Sequence, residues 1–227
     1  MVSQQDGVTM KIFYEDNHVI VVEKKPNQPS QGDESNDLDL LTEVKEYIKV
    51  KYDKPGNVYV GLVHRLDRPV GGIMVFAKTS KAAGRLSDQV RTRTLDKTYT
   101  AVCTGYVEPT TFRDTMVKNR KTNTSYVVDK NHPDGKYAEL HIIEAYYHPT
   151  DNLSTVKIKL VTGRSHQIRV QFASRGNALW GDARYNKHSQ PGQQIALWAT
   201  ELSFDHPITK ERMTFTSHTP SKFPFNL

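Results

Sequence analysis

The chain has 227 residues, 37% of them hydrophobic, and a mean hydropathy of −0.62, enough to build one large domain or two small ones and too apolar for disorder throughout. Its longest apolar runs, Val19–Val22 and Ile73–Ala77, are far shorter than the roughly 18 residues of a bilayer span, and the start lacks the basic and apolar stretches of a secretory leader, so no membrane and a cytoplasmic location are expected. Thirty-one Lys and Arg against 25 Asp and Glu leave a net charge of +6 and a pI near 9.2, which admits a polyanionic partner without requiring one.

In chain order, Lys11–Glu15 and His18–Glu23 read as two short strands about the turn dipeptide Asp16-Asn17, and Pro26 and Pro29 end the hairpin. Residues 27–37 are a loop. From Asp37, the residues Leu40, Leu41, Val44, Tyr47 and Ile48 recur at helical spacing up to Tyr52, with Pro55-Gly56 as the stop. Val58–Val63 and Ile73–Ala77 are strand-like, and Pro69, Gly71 and Gly72 make the connection between them irregular. Thr79 or Ser80 caps a second helix whose Ala83, Leu86 and Val90 share a face. Lys97–Tyr106, Ala138–Tyr147, Thr155–Thr162 and Ile195–Phe204 are further strands. A short helix spans about Ser165–Ser174, and Gly176 is its left-handed cap. The single cysteine, Cys103, excludes an internal disulfide and a thiolate zinc site and reads as a buried thiol. Strands outnumber helices without alternating with them, which gives an α+β class with a mixed sheet. Residues 11–220 are expected to form one domain between a flexible lead, 1–10, and a tail, 221–227.

Three constellations carry candidate chemistry. Asp67 lies between Arg65 and Arg68 on a glycine-bearing connection, where neighbouring cations keep a carboxylate ionised for work as nucleophile or base; a plain turn aspartate fits the same spacing. In Gly163-Arg164-Ser165-His166-Gln167-Ile168-Arg169-Val170, Arg164 stands at a strand-to-helix turn, suited to clamp a phosphate or a carboxylate, or to be a solvated helix start. Strand alternation puts Tyr99 on one face with Ala101, Cys103 and Gly105, leaving open space where a base could stack, although strand tyrosines commonly pack in cores. Basic residues cluster at Arg91, Arg93 and Lys97, at Lys118, Arg120 and Lys121, and at Arg164, Arg169 and Arg175. The nine histidines form no HExxH pair, and neither a dinucleotide fingerprint, a phosphate loop nor a GxSxG elbow is present, so neither metal nor cofactor is expected.

Residues Val63–Lys78, with His64-Arg65-Leu66-Asp67-Arg68-Pro69-Val70-Gly71-Gly72 at their centre, resemble the HRLDxxTSG signature of the RluA-type pseudouridine synthases, and Gly163–Arg169 resembles their GRTHQIR motif. The likeness continues through Lys97-Thr98-Tyr99, Gly181-Asp182-Ala183-Arg184-Tyr185, Ala196–Ala199, His206-Pro207, Tyr14-Glu15-Asp16 and Lys25-Pro26, and so covers nearly the whole chain. It implies a mixed, mainly antiparallel sheet with flanking helices and a central cleft, and an isomerase that converts uridine to pseudouridine in structured RNA, ribosomal or transfer, without a cofactor; a monomer is expected, although the sequence itself carries no signal of oligomeric state. It also implies that Asp67 is the catalytic aspartate, Tyr99 the ring against the target base and Arg164 the cation paired with the aspartate. Arg65 would help displace the nucleotide and Leu197 would pack under the base, with His64, Leu66, His166, Gln167 and Arg169 as further motif residues at the substrate. Val70-Gly71-Gly72 departs from the family's Thr-Ser-Gly, and Trp198 stands where many members have His.

The chemistry suits a carboxylate, because breaking N1–C1′ and rejoining C5 to C1′ calls for a nucleophile at C1′ or at C6 that can leave again. A nearby Arg164 would pair with the carboxylate and favour its ionised form. The base must first leave its stack, at a cost that aromatic stacking and phosphate contacts offset. The alternatives are a catalytically silent RNA-binding module on the same scaffold and a metal-dependent nuclease using His64 and Asp67.

Overall fold

The computed structural model describes residues 10–227, so the expected lead lies outside the described residues except for Met10. The elements are β1 (Ile12–Glu15), β2 (Val19–Lys24), α1 (Leu40–Lys51), β3 (Gly61–Leu62), β4 (Gly71–Ala77), α2 (Ser80–Thr92), β5 (Asp96–Thr104), β6 (Thr110–Asn119), β7 (Thr124–Val128), β8 (Lys136–His148), β9 (Leu153–Leu160), α3 (Gln167–Ala173), β10 (Leu197–Asp205) and β11 (Arg212–Thr216). Strands dominate, the sheet is open and mostly antiparallel, and helices are three among the described residues. The described chain divides into two compact units, residues 10–95 with 201–217 and residues 96–200 with 218–227.

In the first unit, Asp16 makes the β1–β2 turn by accepting the N–H groups of His18 and Val19, both at 2.7 Å. β2 pairs antiparallel with β4 from Val19↔Ala77 to Lys24↔Gly72. Both strands are covered on both faces, since Val19–Val22 and Ile73–Ala77 are at most 1% exposed, and each large side chain so buried contributes roughly 1.5 to 3 kcal/mol. Asp39 caps α1 by accepting Thr42 N–H at 3.0 Å, and Leu40, Val44 and Ile48 turn into the core. Thr79 caps α2 in the same way. The last part of β10 pairs with β11 from Glu201↔Thr216 to Asp205↔Arg212.

The second unit is a five-strand antiparallel ladder in the order β5-β9-β8-β6-β7. Its α3 buries Ile168 and Phe172, as expected, and Phe172 meets Phe112 edge-on at 5.2 Å. The final residues pack rather than trail: Phe223 lies edge-on to Trp180 at 5.4 Å, and Phe225 joins a cluster with Val102, Leu153 and Ala196.

Several expected elements change. Val58–Val63 pairs only through Gly61 and Leu62, because a Cβ at Gly61 would stand 2.9 Å from that of Ala83, so the backbone there lies against α2 rather than continuing a ladder. α2 buries Ala82 and Leu86, whereas Ala83 and Val90 are only partly covered. α3 begins at Gln167, not Ser165, because His166 adopts a left-handed φ of 54°. Gly176 has the expected positive φ, 81°.

Candidate active site

Asp67 sits on the connection between β3 and β4, half-buried, with its carbonyl accepting Val70 N–H at 2.9 Å. The connection is fixed from inside. Ser30 Oγ donates to the Leu66 carbonyl at 2.9 Å and accepts Leu66 N–H at 3.2 Å. His64, 9% exposed, accepts Val75 N–H on Nε2 at 3.2 Å, so that nitrogen is committed to β4. Arg65 is exposed and Leu66 is buried. The departure at Val70-Gly71-Gly72 is absorbed by the fold: Val70 is 2% exposed, and Gly72, the motif's own glycine, takes a φ of 123°.

Arg68 is held at both ends. Its guanidinium meets Asp33 at 3.2 Å, Ser35 at 2.6 Å and Asp37. Its carbonyl accepts Lys24 Nζ at 2.9 Å, which also donates to the carbonyls of Gln28 at 2.6 Å and Lys25 at 3.0 Å. Lys24 is 0% exposed. Burial pulls its pKa down to about 7, while the charge of Asp67 pulls it up and that of Arg68 pulls it down. A buried lysine facing the candidate nucleophile is a feature the sequence reading missed. Val19–Val22 are buried on both faces of β2, so strand alternation gives no signal for it.

In the second unit, Tyr99 opposes Ile158 and Ala101 opposes Val156 across β5 and β9. Tyr99 is 6% exposed and its small neighbours Ala101 and Cys103 are 0% exposed, so the ring and the residues beside it lie on a covered face of β5. Cys103 is the expected buried thiol, its pKa pushed up to about 12 by burial against a hydrogen bond to the Ser154 carbonyl. Leu197 opens β10 at 4% exposure.

The Gly163–Arg169 turn is a hydrogen-bonded structure in its own right. Gln167 accepts Arg164 N–H at 2.9 Å and Thr162 Oγ at 2.8 Å, and donates to the Glu139 carbonyl at 3.1 Å and to Gln171 at 3.0 Å. Arg164 donates through Nε to the Tyr137 carbonyl at 2.8 Å. Arg169 binds Asp182 in a fork, at 2.8 and 2.7 Å, and Tyr185 Oη lies 2.7 Å from His166 Nδ1. Gln167 and Arg169 are 3% and 5% exposed, so their polar atoms are spent inside the unit, shaping the turn that presents Arg164. The third basic cluster is correspondingly smaller than its sequence suggests, because Asp182 neutralises Arg169 and Asp114 neutralises Arg175 at 2.9 Å.

Lys97, on β5 two residues before Tyr99, also belongs here. Its Nζ lies 3.4 Å from the place a Cβ would take on Gly163, and burial lowers its pKa. Among the described residues no group of three or more His, Cys, Asp or Glu could hold a metal, and no helix is long and apolar enough to cross a membrane.

A family model described as RNA pseudouridylate synthase matches residues 18–174. An uncharacterized RNA pseudouridine synthase of Bacillus subtilis, YhcT, is 32% identical over 210 residues, covering 89% of this chain and 66% of its own. Ribosomal large subunit pseudouridine synthase D of Haemophilus influenzae is 30% identical over 242 residues, 97% of this chain and 70% of its own. The chain thus spans about two thirds of the length of these curated relatives. Among solved structures, human RNA Pseudouridylate Synthase Domain Containing 4 superposes with a TM-score of 0.75 at 18% identity, over 92% of this chain and 88% of that one. Human RNA Pseudouridylate Synthase Domain Containing 1 gives 0.73 at 22% identity, over 96% and 86%.

Proposed function

This chain belongs to the RNA pseudouridylate synthase family, and from that membership we propose that it isomerises specific uridines of structured RNA to pseudouridine with Asp67 as the nucleophile. The observation that carries the reading is the family match over residues 18–174, which takes in both the Asp67 connection and the Arg164 turn; each is built on buried side chains that serve to present one charged residue.

In the proposed reaction the ionised Asp67 adds to C1′ or to C6 while N1–C1′ breaks. The uracil, released on the C1′ route or still bound to Asp67 through C6 on the other, turns in the site; C5 bonds to C1′, the carboxylate leaves C1′ or C6, C5 loses its hydrogen to solvent and N1 gains one. Arg164 favours the ionised carboxylate, Tyr99 and Leu197 pack against the base, and Arg65, exposed beside Asp67, helps hold the nucleotide out of its stack. His64, Leu66, His166, Gln167 and Arg169 act on the substrate through the two connections they shape. The substrate is ribosomal or transfer RNA, in keeping with the ribosomal relatives. The protein works in the cytoplasm as a monomer, needs no metal, and uses residues 11–220 as one catalytic domain, a reading supported by a family match that runs through both units.

The test is chemical mapping of pseudouridine in total ribosomal and transfer RNA with and without the gene, followed by treatment of the unmodified RNA with purified protein. The expected result is one or a few uridines that lose the modification and regain it in vitro. RNA bound tightly with no uridine converted would instead identify the silent binding module.

A further inference from the structure

Several cations of the second unit are paired with carboxylates. Arg113 pairs with Glu139 at 3.3 Å, Lys157 with Glu144 at 3.2 Å, Lys159 with Asp96 at 3.1 Å, Arg169 with Asp182 at 2.7 Å and Arg175 with Asp114 at 2.9 Å. Lys97 differs. It is half-buried, burial alone shifts its pKa with no carboxylate to offset it, and no ion pair or hydrogen bond reaches its Nζ among the described residues. Withdrawing an ammonium from water without a counter-charge costs stability, and such a group is a candidate for binding an anion supplied from outside.

Its surroundings say which anion. Nζ rests beside Gly163, which is exposed and carries no side chain to screen the ammonium from solvent. Lys97 and Tyr99 are alternate residues of β5 and so lie on one face, about 7 Å apart along the strand. That is the scale on which a nucleotide joins its base to its own phosphate. A lysine ammonium is a compact point charge suited to phosphate; the uracil carbonyls are neutral and would not compensate a desolvated cation. We propose that Lys97 is a substrate-binding residue that receives a backbone phosphate flanking the target uridine, so that phosphate at Lys97 and base at Tyr99 fix one nucleotide at two points. The proposal rests on the synthase reading above.

The probe is the shortest synthetic RNA stem-loop that carries the mapped uridine, made also with a single neutral methylphosphonate at each nearby position. Lys97→Gln should weaken binding about tenfold and reduce the slope of log K against log salt by about one. For the native protein one methylphosphonate beside the target should cost about the same factor, and for Lys97→Gln that replacement should cost nothing further, while Lys97→Arg restores most of the affinity. Binding and salt slope unchanged in Lys97→Gln, or a native protein indifferent to every methylphosphonate, would overturn the proposal. Should Lys97→Gln not fold, Lys97→Met takes its place; failure of both would make Lys97 a residue of the core and overturn it too. If the native protein converts no uridine, the synthase reading fails whatever Lys97 does; if conversion is normal and only the phosphate cycle fails, this inference falls alone.

Discussion

Lys24 gives a residue-scale test that needs no RNA. Its ordinary pKa is 10.5 and its folded value about 7, so between those values the unfolded chain holds a proton the folded chain has lost. Unfolded protein then binds more protons, and stability rises with pH by up to about 1.4 kcal/mol per unit. The stability of the native protein relative to Lys24→Met, from urea unfolding, is therefore expected to increase from pH 7 towards 10; a flat or falling difference would contradict the buried ammonium. Asp67 and Arg164 were legible in the sequence because their motifs carry them. Lys24 and Lys97 were not, because burial is decided by the strand that comes to lie opposite: nothing local to Val22-Glu23-Lys24-Lys25 tells which lysine turns inward to the Arg68 carbonyl.

The scale of elements is governed by Glu15, which ties β1 to α1 and β4. Its carboxylate accepts Lys51 and Lys78, each at 2.6 Å, with Tyr52 at 2.9 Å and Tyr47 at 3.0 Å. Burial raises its pKa, but those four hydrogen bonds together outweigh it and bring the value from 4.5 to about 2. A depressed carboxylate contributes stability that is complete above its unfolded pKa and disappears as pH falls to the folded one. Glu15→Gln should be about 2 to 3 kcal/mol less stable at neutral pH, and its unfolding should lose the acid dependence the native protein shows between pH 4.5 and 2; acid titrations followed by circular dichroism measure both. At this scale, strands with continuous apolar runs and helices with marked caps were readable. β6, β7 and β11 were not, because Thr110–Asn119, Thr124–Val128 and Arg212–Thr216 are short of buried residues, so their pairing comes from neighbours rather than from a run of apolar residues. The start of α3 was misplaced by the left-handed His166, a conformation joined to its hydrogen bond with Tyr185, 19 residues further on.

Across the whole molecule, Asp67 belongs to one unit and Tyr99, Arg164 and Leu197 to the other. A net charge of +6, with exposed Arg65, Lys118, Arg120 and Lys121 among its cations, predicts RNA binding that weakens at least about tenfold between roughly 50 and 200 mM salt; filter binding across that range checks it, and an affinity indifferent to salt would contradict it. The fold class was legible because strand-rich segments without regular helical alternation admit few alternatives, while the division into two units was not, since no linker-like composition marks Leu95 or Thr200. The central claim is covalent participation of Asp67. It is tested most directly with RNA carrying tritium at C5 of uridine, which substitution at that carbon must release. Native protein should release tritium in step with pseudouridine formed, and Asp67→Asn, folded and still binding RNA, should release none; release by Asp67→Asn at the native rate would contradict the account.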